Sequence, residues 1–211
     1  MVEIELKSRE LTEYVYLTLN KDRNTPIYDE DVEQIKDVTL DALDFLDEPT
    51  DATIYDLVFF TNLKTCMIAN MAISENEIGI LNNLENIESI QFTNCVFPKC
   101  KKFNMHATYV IVDGCIEFDA SIFSEMKCIT KLRIVNCEHV NLAGIEALKE
   151  ITELYLQNLN LENIDGVENL NKLEYLNLNG TKVKKLTDIS KKLNNVRVEH
   201  KEQNYIYDVE N

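Results

Sequence analysis

Residues 151–183 read ITELYLQNLNLENIDGVENLNKLEYLNLNGTKV. One short pattern occurs twice in this stretch. Ile151, Leu154 and Leu156 recur as Leu173, Leu176 and Leu178, 22 residues further on. A third copy stands 22 residues upstream at Ile129, Leu132 and Ile134. All nine positions are Leu or Ile in a chain that is 45% apolar, so the beat is a property of the sequence and not an accident. Positions 4 and 6 of each copy lie on one side of an extended strand, and positions 3, 5 and 7 lie on the other. A single copy cannot bury its own apolar side, so the copies must stack on one another.

The register extends outward from these three copies. Upstream come Ala107/Val110/Val112, Ile87/Ile90/Phe92, Leu63/Cys66/Ile68 and Ile35/Val38/Leu40; downstream comes Leu193/Val196/Val198. This predicts eight strands with copy lengths that wander between 20 and 28 residues. Stacked at ~4.8 Å, they span roughly 34 Å.

The pattern LxxLxLxx(N/C/T)xL resembles the leucine-rich repeat. The segments Ile54 to Ile73 and Ile164 to Val183 are similar to the 22-residue bacterial class found in internalin-like proteins. A phosphatase-regulatory protein carries the same class of repeat. The resemblance covers about residues 35–200. It implies an α/β solenoid: a curved, right-handed superhelix with a parallel sheet on its concave side and a helical N-terminal cap. It divides the chain into an acidic cap at 1–34, about eight repeats at 35–200, and a cap or tail at 201–211. It also implies that the ninth position, normally Asn, satisfies loop backbone groups. Here that column holds Met71, Cys95, Cys115, Cys137, Leu159 and Thr181.

Composition narrows the function. The 211 residues carry a net charge of −16, which argues against binding a nucleic-acid backbone. Residues 1–50 hold 14 acidic and 5 basic side chains, more than half of that excess. Leu11, Val15, Leu17 and Leu19 there fit a short helix or a mixed element. Asp29 is a plausible N-cap ahead of Val32 and Ile35, and Asp29, Glu30 and Asp31 lack the spacing of a calcium loop. The N-terminus has no signal-peptide core and no run of 18 apolar residues occurs, so the expected location is cytoplasmic, unless the chain is cut from a larger precursor.

Six cysteines and three histidines raise the question of a metal site. Cys95, Cys115 and Cys137 fall in the ninth column and Cys66 at an inward position, which points to packing. Cys100 and Cys128 lie in connecting segments. His106, His139 and His200 do not stand at finger-like spacings from these cysteines, so no metal is expected. GxGxxG, GxxxxGK[ST], GxSxG and HExxH are all absent. The sequence therefore predicts no cofactor and no enzyme.

The outward positions carry the functional expectation. Position 5 reads Thr39, Met67, Gln91, Ile111, Arg133, Tyr155, Asn177 and Arg197. Position 3 reads Asp37, Thr65, Ser89, Tyr109, Lys131, Glu153, Tyr175 and Asn195. Tyr and Arg are enriched at interface hot spots. Tyr109, Ile111, Arg133, Tyr155, Tyr175 and Arg197 are the predicted anchors for a protein partner on the concave face. The plain alternative is that Tyr simply favours strands. The acidic N-terminal segment either steers a basic partner or keeps the chain soluble. Three rivals stay open: an inhibitor or immunity-type protein against a basic toxin or enzyme, an adhesin-like surface fragment, and an enzyme or its recognition arm. Neither the partner nor the oligomeric state is fixed. Edge strands can pair between chains, or Tyr205, Ile206 and Tyr207 can shield the C-terminal edge.

Overall fold

The periodic pattern becomes one long parallel sheet. The computed structural model describes residues 1–43, 48–184, 193 and 196–201. Asn195 and the tail residues Tyr205, Ile206 and Tyr207 lie outside the described residues, as does the proposed C-terminal segment beyond Lys201. A two-stranded antiparallel ribbon, β1 (Glu3–Ile4) and β2 (Ile27–Tyr28), brackets helix α1 (Arg9–Thr18). A single-turn helix, α2 (Asp29–Val32), leads into the sheet. Its strands are β3 (Asp37–Asp41), β4 (Thr65–Ala69), β5 (Ser89–Thr93), β6 (Tyr109–Asp113), β8 (Lys131–Val135), β10 (Glu153–Gln157), β12 (Tyr175–Asn177) and β14 (Arg197–Glu199). They lie side by side in chain order and every pairing is parallel.

Returning segments run along the other side. They form helix α3 (Glu75–Leu81), 3-10 turns at Ile54–Phe59, Ala120–Phe123, Ile145–Ala147 and Val167–Asn169, and two short parallel ladders. The ladders are β7 (Glu117–Asp119) with β9 (His139–Asn141), and β11 (Asn160–Leu161) with β13 (Lys182–Val183).

The core follows the columns. In the first seven copies every residue at positions 1, 4 and 6 is buried, none more than 6% exposed. In the middle copies Phe92, Phe103, Phe118 and Phe123 fill the interior and the half-buried Phe97 packs against them, with ring centroids 5.2–6.3 Å apart. The last copy corrects the expected register. Tyr175 pairs with Arg197 and Leu176 with Val198, so Val198 stands at position 4 and Arg197 at position 3. The sequence reading had placed both two positions later. The backbone keeps its 22-residue step even though this puts His200 at position 6; Val198 remains 41% exposed.

Two further columns hold the turns after each strand. The eighth position is left-handed in six successive copies: Asn70, Asn94, Gly114, Asn136, Asn158 and Gly180 all have positive φ. Asn and Gly are the residues that tolerate this backbone. Their amides link copies, with Asn94 Nδ2 donating to Asn70 Oδ1 at 3.0 Å and Asn158 Nδ2 to Asn136 Oδ1 at 2.8 Å. Glycine is required twice over at Gly180, where a Cβ would lie 2.1 Å from Asn158 Oδ1. In the ninth column Thr181 Oγ1 donates to Leu156 O at 2.7 Å and accepts from Leu159 N at 3.1 Å. Thiols do the same work upstream: Cys95 Sγ donates to Ile68 O at 3.3 Å, and Cys115 Sγ accepts from Cys95 N at 3.3 Å.

At the N-terminal end, Leu11 and Val15 of α1 are buried and Leu17 is exposed. Ser8 caps α1 by accepting from Leu11 N, and its own N–H donates to the buried Asp56. The Tyr14 hydroxyl donates to Asp37 O at the edge of β3. Asp29 is not the N-cap of α2. Pairing with Glu3 holds Tyr28 extended in the cap position, so Asp29 becomes the first helical residue. Its carboxylate accepts from Val2 N and Glu30 N, both at 2.9 Å.

Candidate functional site

Strand alternation sends positions 3, 5 and 7 to the side of the sheet away from the core. The register then sorts the sequence-predicted residues into two adjacent rows crossing five strands. One row is Tyr109, Lys131, Glu153, Tyr175 and Arg197; the other, two residues on, is Ile111, Arg133, Tyr155, Asn177 and Glu199. All six predicted anchors therefore meet on one surface. Arg197 sits in the first row, beside Tyr175, and not in the position-5 row where the sequence reading put it.

The side chains interlock. The Lys131 ammonium lies 5.2 Å from the centre of the Tyr109 ring and 5.1 Å from that of Tyr155, and it pairs with Glu153 at 2.9 Å. The Tyr155 hydroxyl donates to the same carboxylate at 2.7 Å. The Tyr155 and Tyr175 rings meet edge-on at 5.4 Å. The Arg133 guanidinium lies 5.4 Å from the Tyr155 ring centre and that of Arg197 lies 5.5 Å from the Tyr175 centre. Arg197 also reaches Glu199 at 2.5 Å. Cations over aromatic faces contribute ~0.5–1 kcal/mol each at exposed sites.

Titration behaviour follows from this network. The hydrogen bond to Glu153 raises the Lys131 pKa. The Tyr155 hydroxyl, with Lys131, holds the Glu153 carboxyl below its usual value. Burial, reinforced by the bond to Glu153, pushes the Tyr155 hydroxyl up. At the next strands burial raises Tyr175, whose hydroxyl in turn lowers Glu199. Sequence reasoning missed Lys131 and Glu153 as the centre of the network. The signal was present: both stand in the position-3 column between Tyr109 and Tyr175.

The first strands carry a different surface. Asp37, Thr39 and Thr65 are exposed there, and a hollow of about 240 Å³ opens beside Tyr14. A larger groove of about 700 Å³ lies along the short ladders, walled by Phe97, Phe118, His139 and Glu162. Lys102 donates to Ser121 at 2.8 Å and Asn141 to Asp119 at 2.9 Å within it.

The four cysteines that fall in the columns occupy the interior. Cys66, Cys95, Cys115 and Cys137 are buried, Cys128 is half-buried and Cys100 is exposed. Burial pushes the Cys66 thiol up to about 12 and the Cys95 thiol up to about 11. Among the described residues, no group of three or more His, Cys, Asp or Glu side chains is placed to hold a metal ion. Among the same residues no helix is long and apolar enough to cross a membrane.

The architecture has a solved counterpart. Internalin C2 of Listeria monocytogenes superimposes with a TM-score of 0.56, covering 92% of this chain and 93% of its own at 14% identity. This chain has the leucine-rich-repeat fold. A second Listeria monocytogenes internalin, InlF, aligns over 92% of this chain and 75% of its own at 12% identity, with a TM-score of 0.38 that adds nothing to the assignment. No family model and no curated protein matches the sequence. The leucine-rich-repeat register accounts for the eight-stranded sheet, the ninth-column turns and the outward rows alike.

Proposed function

We propose that the chain is a non-enzymatic protein-binding module that receives its partner on the open face of the eight-stranded sheet. The observation carrying this reading is the interlocked double row from Tyr109 to Arg197. Three tyrosine rings, a lysine and two arginines are held in place before any partner arrives. Side chains already fixed lose little entropy on binding, which is how a preorganised surface gains affinity. Tyr and Arg are also the side chains that most often dominate binding energy. Ile111 beside Arg133 supplies an apolar contact with no role in the core. The raised thiol pKa values of Cys66 and Cys95 disfavour a nucleophilic thiolate, which supports a role outside catalysis. Six free cysteines, four of them buried, suit a reducing, cytoplasmic setting.

A second reading, an inhibitor or immunity-type protein that docks a basic toxin or enzyme, is favoured by one observation. The first strands expose Asp37 next to the acidic N-terminal segment. Its signature is a steep loss of affinity with salt.

The test is capture of the partner from producing cells by full-length protein, compared with Tyr155→Ala and with Glu138→Ala, which lies on the opposite side. Tyr155→Ala is expected to weaken capture ~10-fold or more, a hot-spot effect, while Glu138→Ala leaves it unchanged. Capture insensitive to Tyr155→Ala and to Tyr175→Ala overturns the proposal.

A further inference from the structure

Arg133 stands on the second strand of the double row and its hydrogen-bonding capacity is largely unspent. A guanidinium has five N–H donors and is built to grip a carboxylate with two of them. Among the described residues, Arg133 Nε is the one buried side-chain nitrogen or oxygen with no hydrogen-bond partner. Its Nη2 reaches only the Gln157 amide oxygen, at the long distance of 3.5 Å. Buried polar atoms in folded proteins are almost always paired, so an unpaired one on a candidate surface asks for an explanation.

The other cations of this surface are already matched. Lys131 pairs with Glu153 and Arg197 with Glu199. Among the described residues, the carboxylates on the two strands flanking Arg133 are already engaged. Glu153 is engaged by Lys131 and by the Tyr155 hydroxyl, and Asp113 accepts from Asn136 Nδ2 at 2.8 Å. The Tyr155 ring, 5.4 Å from the guanidinium carbon, holds its position from one side, while Ile111 flanks it on the neighbouring strand. The result is a fixed, half-buried positive charge, with an apolar neighbour, facing out of the sheet.

We propose that Arg133 is the receptor for one carboxylate side chain, aspartate or glutamate, of the partner protein, with an apolar partner group meeting Ile111. This rests on the reading that the open sheet face is the binding surface, and it names a chemistry recognised on that face. Partial burial weakens solvent screening, so the pair is worth more here than on an open surface. The negative net charge of the chain sets no obstacle at this point: residues 1–50 carry more than half of the excess, and the carboxylates of the double row, Glu153 and Glu199, are paired with Lys131 and Arg197.

The experiment uses the full-length, nitrogen-15-labelled protein. The chain has only four arginines, so each Nε–Hε resonance can be followed separately. N-acetylglutamate amide is titrated at constant ionic strength against its neutral counterpart, N-acetylglutamine amide. The expected result is a saturable shift at Arg133 with the glutamate probe alone. Arg197 and Arg23, already paired with Glu199 and Glu13, move several-fold less. Equal shifts with both probes, a non-saturating drift shared by all four arginines, or saturation by inorganic phosphate without response to the glutamate probe overturns the proposal.

Arg133→Lys keeps the charge and removes the fork. It is expected to leave the melting temperature and the sheet amide spectrum in place while lowering partner capture ~10-fold, the loss expected of an interfacial charge pair. Capture lost with Tyr155→Ala but intact with Arg133→Lys refutes the carboxylate receptor and leaves the surface standing. Capture indifferent to both variants refutes the surface itself.

Discussion

Replacing Thr181 by valine keeps the shape at the ninth position and deletes one oxygen. That oxygen bridges two buried backbone groups, accepting from Leu159 N and donating to Leu156 O. Thr181 itself is 1% exposed, so water cannot take over either bond. Each orphaned buried group costs about 1–3 kcal/mol. Burying a methyl in place of a hydroxyl returns part of this, and the net loss is about 2–4 kcal/mol. In a chain of this size 1 kcal/mol moves the melting temperature by ~2–4 °C, so valine should lower it by roughly 5–15 °C. Thr181→Cys should cost under about 1 kcal/mol, because cysteine already fills this column at positions 95, 115 and 137 and bonds the same kind of groups there. Urea unfolding followed by circular dichroism gives the ranking, and amide exchange at Leu159 locates it. The reasoning fails if valine is within ~0.5 kcal/mol of wild type, the ordinary spread of surface substitutions, or if cysteine is as harmful as valine.

Two further outcomes follow from the titration shifts. At pH 8, Ellman's reagent should label the exposed Cys100 promptly and spare Cys66 and Cys95, whose raised pKa values leave them protonated until far more alkaline conditions; mass spectrometry showing Cys66 modified in the folded protein as fast as Cys100 would contradict this. Glu153 has a folded pKa below its unfolded one, so its contribution to stability is present above the ordinary carboxylate value of about 4.3 and disappears as pH falls through the lowered one. The Glu153 carboxyl carbon should titrate below the ordinary carboxylate value together with the Tyr155 ring signals, and a midpoint above that value would break the proposed link to the Tyr155 hydroxyl.

The inward columns were legible because alternation and a 22-residue step act together, and residues such as Leu154 and Leu156 have no other place to go. The outward rows were legible by subtraction, as the residues between them. The last copy was misread because Val196 and Val198 match an apolar template in either phase. Local hydrophobicity favoured Leu193 as its first position, whereas backbone pairing with β12 fixed the phase at Arg197. The eighth column went unread although Asn70, Asn94, Gly114, Asn136, Asn158 and Gly180 spell a left-handed turn; an apolar search is blind to polar columns. The short ladders on the far side, two or three residues each, fall below what alternation can signal. The apolar column there also changes phase, from Phe118 and Val140 to Leu161, the latter one position earlier in its copy.

Neighbours along each row are contributed by successive copies of the repeat, and this ties the chemistry of the surface to the arithmetic of the gene. An extra copy between β8 and β10 would preserve the interior at every point yet move Tyr155 and Glu153 a further ~4.8 Å from Lys131, the width of one strand. The ammonium would lose its carboxylate and one of its rings at a stroke. Such a protein would fold yet display a different surface, so unit number shapes this face as much as the identity of any residue.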